Sequence, residues 1–416
     1  MRSLTPRTRS NRTREALQSP DPRYPSLLPT GPTGKWSDDN FLNALRGQGD
    51  PAADAAVARL VANHGSQAVG PIFRLLQAND NPLPADAPQA LKDFMANSAG
   101  LPPGINPDRL PRGSAAFLKN ALPSVIVLLS SSLPRGYGAP CLCEILSISR
   151  DLERHPFGRL MGVVQLLVNI SAPNAFDPRG RAIVTAQKLR LLHAGIRSMA
   201  ARYRPHYQQQ FGVPVNHEDM LATIMGFSYL LIDGIRRLDL ELAPDEAEDL
   251  YYLWRTFALL MGIHPDGQPH DDSYIPANLT EAAEFYSSYV RRNNTPASRN
   301  RYGSVLARDN LKMMEGLLPR SARLFGLGYA PRISMTELLT PEELARVGVR
   351  PVVGHRLIKM FLRALLMVGQ RTAEHAPFVS GLARIVLQGM VDADRRGEVS
   401  FAIPLSRLQL RGSSFE

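Results

Sequence analysis

The residues best able to do chemistry in this chain are a histidine and four side chains that flank it on one helical stretch. At about 100° per residue, Leu189 and Ile196 fall on one side of His193, and Arg190 and Arg197 fall on the other. A haem is a flat apolar plate that needs a nitrogen ligand for its iron and cations for its two carboxylates. The spacing therefore suits a haem site with His193 as the iron ligand. From geometry alone, the alternative stays open that His193 is structural and both arginines are solvated.

The helix that carries this pattern has a recognisable start and stop. Asp177-Pro178 favours a helix start and Pro205 imposes a stop, so the sequence predicts a helix over 179–204. On this helix Ala186 and Ala200 lie nearly in line with the imidazole, one on each side along the axis. Two small residues there leave the ring with clear space around it, which a cofactor would need.

A second helix, predicted over 156–170, is apolar nearly all round and is therefore expected to be buried. Arg159 is its one charged residue. A small and mildly polar stripe runs along one of its faces: Gly158, Gly162, Gln165 and Asn169. The stripe would let a cofactor approach the backbone closely. Tight packing of another helix would use the same residues.

The run RAIVTAQKLRLLHAGIR, from Arg181 to Arg197, resembles the central signature of the latex-clearing protein and MpaB-type oxygenase family, the rubber oxygenases. Shorter pieces are similar to that family as well: LPRGY at 133–137, Arg159-Leu160, VNHEDMLAT at 215–223, and the stretch from Trp254 to Gly262. The resemblance implies an all-helical fold with a globin-like core around a b-type haem. It implies that His193 is the proximal iron ligand and that Arg159 is the arginine of the distal-side helix.

The chain departs from the family where the resemblance places the distal pocket. Latex-clearing proteins carry an acidic residue or lysine followed by threonine there, whereas this chain has Gly162 and Val163. Together with Leu166, these residues predict a roomier and more apolar distal pocket. Relatives typically have glutamine where this chain has His217, and we do not expect His217 to be a ligand.

The resemblance implies an enzyme, a haem-dependent oxygenase that cleaves a carbon–carbon double bond of an isoprenoid-like or other alkene substrate. Its partners would be dioxygen and a small apolar molecule. Arg159 would be catalytic by holding developing negative charge, although a buried ion pair or a propionate contact would use it equally well. The altered distal residues leave open a non-enzymatic protein that keeps the fold and only binds haem or an apolar ligand. A helical scaffold without haem is a third alternative.

Composition and charge support a folded protein with a large core and argue against several other classes of protein. The chain has 416 residues, of which 44% are hydrophobic and 21% charged, and this supports a large buried core. Its net charge of +10 is spread thinly beyond the first residues, so specific nucleic-acid binding is not expected. The two cysteines are too few for a disulfide framework or a structural zinc site, which favours a reducing compartment.

The hydrophobic pattern predicts an all-α fold, because period 3.6 recurs and no sustained period-2 alternation is found. Helices are predicted over 52–76, over 217–238, 246–262 and 281–292 after cap residues, and over 353–368 and 377–395 as long apolar stretches. A Pro/Gly-rich connection is predicted over 101–113. We expect one large helical domain over 36–400, with a globin-like haem-binding core. A disordered basic arm, 1–35, would precede it and a C-terminal tail, 401–416, would follow it.

No stretch has the length and apolarity of a signal peptide or a membrane span, so a cytoplasmic protein is expected. The arginines of the arm leave room only for weak association with a membrane surface. The loop from His264 to Asp272 has metal-ligand residue types at a spacing that matches no standard site. Cys141 and Cys143 lack the spacing of a redox pair and are expected to serve packing.

Overall fold

The computed structural model of the protein consists of helices, turns and loops in its described residues, which are 34–63, 87–149, 156–317, 327–352, 354 and 356–375. No strand occurs in these ranges, and this confirms the all-α prediction. The globin-like arrangement of the core and the domain limits stay predictions. Three predicted segments lie outside the described residues. They are the basic arm, apart from its positions 34 and 35, the helix expected over 377–395, and the tail at 401–416.

The helices are numbered here in chain order. They are α1 (Asp39–Arg46), α2 (described over 51–63), α3 (Gln89–Asn97), α4 (Arg109–Lys119), α5 (Ala121–Val127), α6 (Leu133–Gly136), α7 (Pro140–Ser149), α8 (Pro156–Ile170), α9 (Arg181–Tyr203), α10 (Tyr207–Phe211), α11 (His217–Phe227), α12 (Tyr229–Arg237), α13 (Pro244–Leu260), α14 (Leu279–Asn293), α15 (Arg301–Leu317), α16 (Ala330–Leu338), α17 (Pro341–Arg346) and α18 (Arg356–His375). A π-helical turn, Leu128–Ser132, joins α5 to α6.

Side-chain caps set several of the helix starts. The Asn216 side chain accepts a hydrogen bond from the Asp219 amide at the start of α11, as its position in the sequence predicts. The start of α14 was predicted at Thr280, but the cap is Asn278, which accepts from the Glu281 amide at 3.0 Å. The continuous helix predicted over 217–238 is wrong, because the backbone breaks at Ser228 and separates α11 from α12.

The Pro/Gly-rich connection predicted up to residue 113 ends earlier than expected, since α4 begins at Arg109. Gly113 lies inside α4 because the helix packs closely on α13. A Cβ atom at this position would lie 2.3 Å from the Asp249 carbonyl oxygen. Arg109 and Arg112 each pair with the Asp249 carboxylate at 2.6 Å. These ion pairs also stabilise the contact between α4 and α13.

The largest hydrophobic cluster joins α1, α4, α8, α9 and α11 to α14 around aromatic side chains. Trp254 of α13 is 1% exposed and stacks on Phe227 of α11 at 4.9 Å between ring centroids. A smaller cluster packs α2 and α3 against Leu191 and Ala194 of α9. Helix α9 is therefore held between two apolar clusters, which fixes the position of His193.

None of the helices in the described ranges is, taken singly, long and apolar enough to cross a membrane. Two consecutive helical segments, bent by 77° from each other, are together long and apolar enough by length and composition alone: Arg109–Lys119 and Ala121–Gly136.

Candidate functional site

His193 lies near the middle of α9 and is half-buried. Burial, with a smaller contribution from Arg197, lowers the pKa of its imidazole from 6.5 to about 4, so the ring is neutral at pH 7. The buried Nδ1 atom has no hydrogen-bond partner among the described residues. A buried ring nitrogen without a partner is uncommon in folded proteins. The neutral ring also offers the lone pair that a metal ligand needs.

The face of α9 around His193 is apolar and keeps some accessible surface. Leu189, Leu192, Ile196 and Met199 are half-buried like His193, whereas Ala186 and Ala200 are almost fully buried. The half-buried residues recur at the spacing of one helical face. His193 therefore shares its face of α9 with apolar side chains that keep part of their surface accessible.

The two arginines that flank His193 are buried and paired. Arg190 donates two hydrogen bonds to Asp50, at 2.6 and 3.0 Å. Burial alone would raise the pKa of Asp50, but the bonds from Arg190 outweigh it and hold that pKa below its ordinary value. Arg197 donates to Asp54 at 2.8 Å, and its buried Nη2 atom has no partner within the described ranges. Neither arginine is solvated, and their predicted contact with haem propionates stays a prediction.

A buried chain of polar side chains joins the end of α8 to the start of α9. Gln165 donates to Asn169 at 2.7 Å, and Asn169 donates to Thr185 at 2.9 Å. The predicted stripe of α8 is thus used partly for helix contact. Gly162 is buried, Val163 and Leu166 are half-buried, and of Arg159 the structure describes only its place in α8.

Val163 lines a cavity of about 220 Å³. Most of its walls are apolar, and they come from α6, α7, α8, α11, α12, α14, α15 and the π-helical turn. The lining includes Leu128, Leu142, Leu146, Phe227, Leu230 and Met313. Residues of polar type also line it, among them Ser132, Thr223, Tyr289 and Asn310. The structure therefore brings one of the three predicted distal-pocket residues, Val163, to a cavity of apolar character.

A buried charged network stands behind one wall of this cavity. Tyr289 donates to Asp219 at 3.0 Å, and Arg46 pairs with Asp219 and with Glu218. Burial would disfavour the charged guanidinium, but the two carboxylates raise the pKa of Arg46 above its ordinary value. The role of Tyr289 was not predicted, because its contact with Asp219 joins positions far apart in the sequence. In the sequence, the acidic pair that follows Asn216 was the one signal of this charged network.

His217 is 2% exposed, and the charged groups that act on its ring are His264, Asp50 and Arg197. Its pKa is lowered from 6.5 to about 4 by burial, with help from His264 and Arg197. In the part of the chain that the structure describes, no group of three or more His, Cys, Asp or Glu residues is placed to hold a metal ion. Cys141 and Cys143 are both buried.

The fold and the site define an all-helical protein in which a neutral, half-buried histidine lies on α9 and an apolar cavity is lined in part by the neighbouring helix α8. Residues 124–371 match the family model described as ER-bound oxygenase mpaB/B'/Rubber oxygenase, catalytic domain. This range is more than half of the chain, and the chain belongs to that family. The membership confirms the resemblance drawn from the His193 helix and places the chain among oxygenase catalytic domains, which are enzymes.

Two individual proteins support the same assignment. The chain is 25% identical over 253 residues to Rubber oxygenase of Streptomyces sp. (strain K30), and the match covers 58% of this chain and 58% of that relative's length. It is also similar to the solved structure of Latex Clearing Protein LCP in the closed state, with a TM-score of 0.62 and 18% identity. That match covers 83% of this chain and 91% of the other, and it shows a shared fold.

Proposed function

We propose that this protein is a haem b-dependent oxygenase that cleaves a carbon–carbon double bond of an apolar, isoprenoid-like or other alkene substrate with dioxygen. The observation that carries the proposal is the state of His193. Its ring is neutral, with a pKa that desolvation lowers to about 4, and its buried Nδ1 has no partner among the described residues. Family membership supports oxygenase chemistry, and the apolar cavity supports an apolar substrate.

The residues of α9 fit a haem in three respects. His193 would ligate the iron, and Leu189 and Ile196 would pack against the apolar ring from the half-buried face. Arg197 has one buried nitrogen, Nη2, without a partner in the described ranges, and this atom would donate to a propionate. Arg190 already donates two hydrogen bonds to Asp50, so its role would be structural, to hold α9 against that residue. When bound, the haem supplies the iron at which dioxygen is activated.

The residues of α8 would shape the opposite side of the site. The contact between Asn169 and Thr185 joins α8 and α9 near the turn between them. At 1.5 Å per residue, Gly162 lies about 10 Å along α8 from this contact and His193 about 12 Å along α9. With the two helices running back alongside each other, Gly162 and Val163 would come near the level of His193, and Leu166, about 4.5 Å from the contact, would lie closer to the turn. Their small or apolar side chains would exclude water and admit an alkene.

Arg159 would provide the one cation on this side of the site. A preorganised cation in a dry site stabilises negative charge that develops on oxygen during the reaction. The partners of the reaction would be dioxygen and the alkene. A cytoplasmic location is part of the proposal and rests on the sequence alone.

Dioxygen uptake tests the proposal directly. Full-length protein loaded with haem should consume dioxygen in the presence of acyclic isoprenoid alkenes and release carbonyl products. Arg159→Ala should keep the haem and lower the rate about 100-fold or more, in line with the loss of one stabilising donor. Arg301→Ala, at an exposed position that begins α15, is the matched control and should leave the rate unchanged. Haem binding without dioxygen uptake would instead indicate the non-enzymatic carrier.

A further inference from the structure

The cavity of about 220 Å³ lies where the faces of several helices meet. Four of these helices each line it with two residues that are three or four positions apart and so share one helical face: Leu142 and Leu146 of α7, Thr223 and Gly226 of α11, Tyr286 and Tyr289 of α14, and Asn310 and Met313 of α15. Among the described lining residues, Val163 alone comes from α8, and none comes from α9. The described walls therefore reach the helices of the proposed haem site only at Val163.

Several polar side chains in these walls already donate hydrogen bonds to the protein. The Thr223 hydroxyl donates to the Asp219 carbonyl at 2.9 Å, and the Tyr289 hydroxyl donates to the Asp219 carboxylate at 3.0 Å. The Asn310 Nδ2 donates to the Leu129 carbonyl at 2.8 Å. A ligand with several polar groups would leave some of them without partners here, which is costly. The walls therefore offer a ligand mainly apolar contacts.

Two lining residues control how much room the cavity has. Thr223 is the exposed residue of α11, whose other residues are buried or half-buried. Because Thr223 lines the cavity, a larger side chain at this position would reduce the space inside it. Met313 of α15 is half-buried and lines the same cavity, so a smaller side chain there would enlarge it.

We propose that this cavity is the substrate site, that it takes a small apolar molecule of about ten heavy atoms, and that Thr223 and Met313 set this limit of size. An apolar cavity of about 150 Å³ binds benzene, and one of about 220 Å³ has room for a molecule half as large again. The inference rests on the proposed function for the reaction and adds the size of the substrate to it. Carbon atoms beyond this limit would stay outside the cavity and gain nothing from its walls.

A series of alkenes that grows by one isoprene unit tests the limit: 2-methylbut-2-ene, 2,6-dimethylocta-2,6-diene and 2,6,10-trimethyldodeca-2,6,10-triene. Their dissociation constants can be measured by headspace gas chromatography above full-length protein, as purified, in sealed and oxygen-free buffer. Each carbon that moves from water into an apolar site tightens binding by up to about 4-fold. The second probe should therefore bind at least about 50-fold more tightly than the first, whereas the third should bind no more than about 3-fold more tightly than the second.

Substitutions at the two positions should move this limit in opposite directions. Thr223→Phe should weaken the second probe at least about 20-fold and leave the smallest within about 3-fold, because it takes up the room of about four carbons. Met313→Ala should tighten the largest probe about 5-fold or more, a gain that a misfolded variant would not show. Thr372→Phe is the matched control, because Thr372 is exposed on α18 and its hydroxyl also donates to the carbonyl four residues back. It should change none of the three constants.

The proposal is overturned if affinity keeps rising from the second probe to the third as it does from the first to the second, which is the behaviour of unspecific apolar binding. It is also overturned if Thr223→Phe weakens all probes equally or none, if Thr372→Phe reproduces its effect, if Met313→Ala brings no gain, or if the parent protein binds no probe. Because binding without dioxygen involves no turnover, these outcomes are separate from failure of the haem-oxygenase proposal, which haem content and dioxygen uptake report.

Discussion

His217 makes the stability of this protein depend on pH in a way that one substitution should reveal. The residue is 2% exposed at the start of α11. Burial, followed by the charges of His264 and Arg197, lowers its pKa from 6.5 to about 4. Replacement by glutamine, the residue typical of relatives at this position, removes the titrating group and keeps a polar side chain.

The size of the effect follows from the two pKa values. Between pH 6.5 and pH 4 the unfolded chain binds a proton that the folded chain does not, so stability falls as the pH is lowered through this window. From pH 7 to pH 5, the cost for one such histidine is about 2 kcal/mol. His193 has the same lowered pKa of about 4 and adds a similar cost. His217→Gln should therefore remove about half of the loss that these two histidines cause.

Urea unfolding at 25 °C, followed by circular dichroism at pH 7, 6 and 5, measures this loss. The parent and His217→Gln should have similar free energies of unfolding at pH 7 and diverge as the pH falls, with the variant the more stable. His206→Gln, at an exposed position, is the control and should follow the parent. If His217→Gln lost as much stability as the parent between pH 7 and pH 5, a buried neutral His217 would be refuted.

Three further substitutions or probes test the framework around the site. Asp50→Ala should lower the free energy of unfolding by about 3–5 kcal/mol, measured by urea unfolding, because it leaves the buried Arg190 without its counter-charge. Gly113→Ala should cost about 1–3 kcal/mol in the same assay, since its Cβ would press on the Asp249 carbonyl 2.3 Å away; an unchanged midpoint would contradict this packing. Burial raises the pKa of the Cys141 thiol, so a thiol reagent should label it only upon unfolding, and rapid labelling of native protein would disprove its burial.

The elements around the site could be predicted where local signals decide them. The limits of α8 follow from Pro156 and from the apolar run that ends at Ile170, and α9 follows from its proline-framed periodicity. The break at Ser228 could not be predicted, because the hydrophobic period continues through it from α11 into α12. The start of α4 was missed for a related reason. Gly113 reads as a turn residue, although it serves the contact between two helices.

The site residues show the same division between local and long-range information. A helical projection places Arg190 and Arg197 beside His193, but it cannot show that Asp50 and Asp54, on another helix and its cap, pair with them. The π-helical turn at Leu128–Ser132 was likewise beyond sequence reasoning. Nothing in the run of leucines and serines marks such a turn, and the cavity beside it is assembled from helices distant in the chain.

An absorption spectrum tests the central claim, that His193 holds a haem, most directly. Purified full-length protein, supplemented with haem, would be measured oxidised, reduced and with carbon monoxide, alongside a chemical haem assay. The account predicts a Soret band at near one haem per chain, its loss in His193→Ala, and its retention in His217→Gln, which changes a second histidine with a lowered pKa. A parent protein without a Soret band, or a His193→Ala variant that keeps it, would contradict the account.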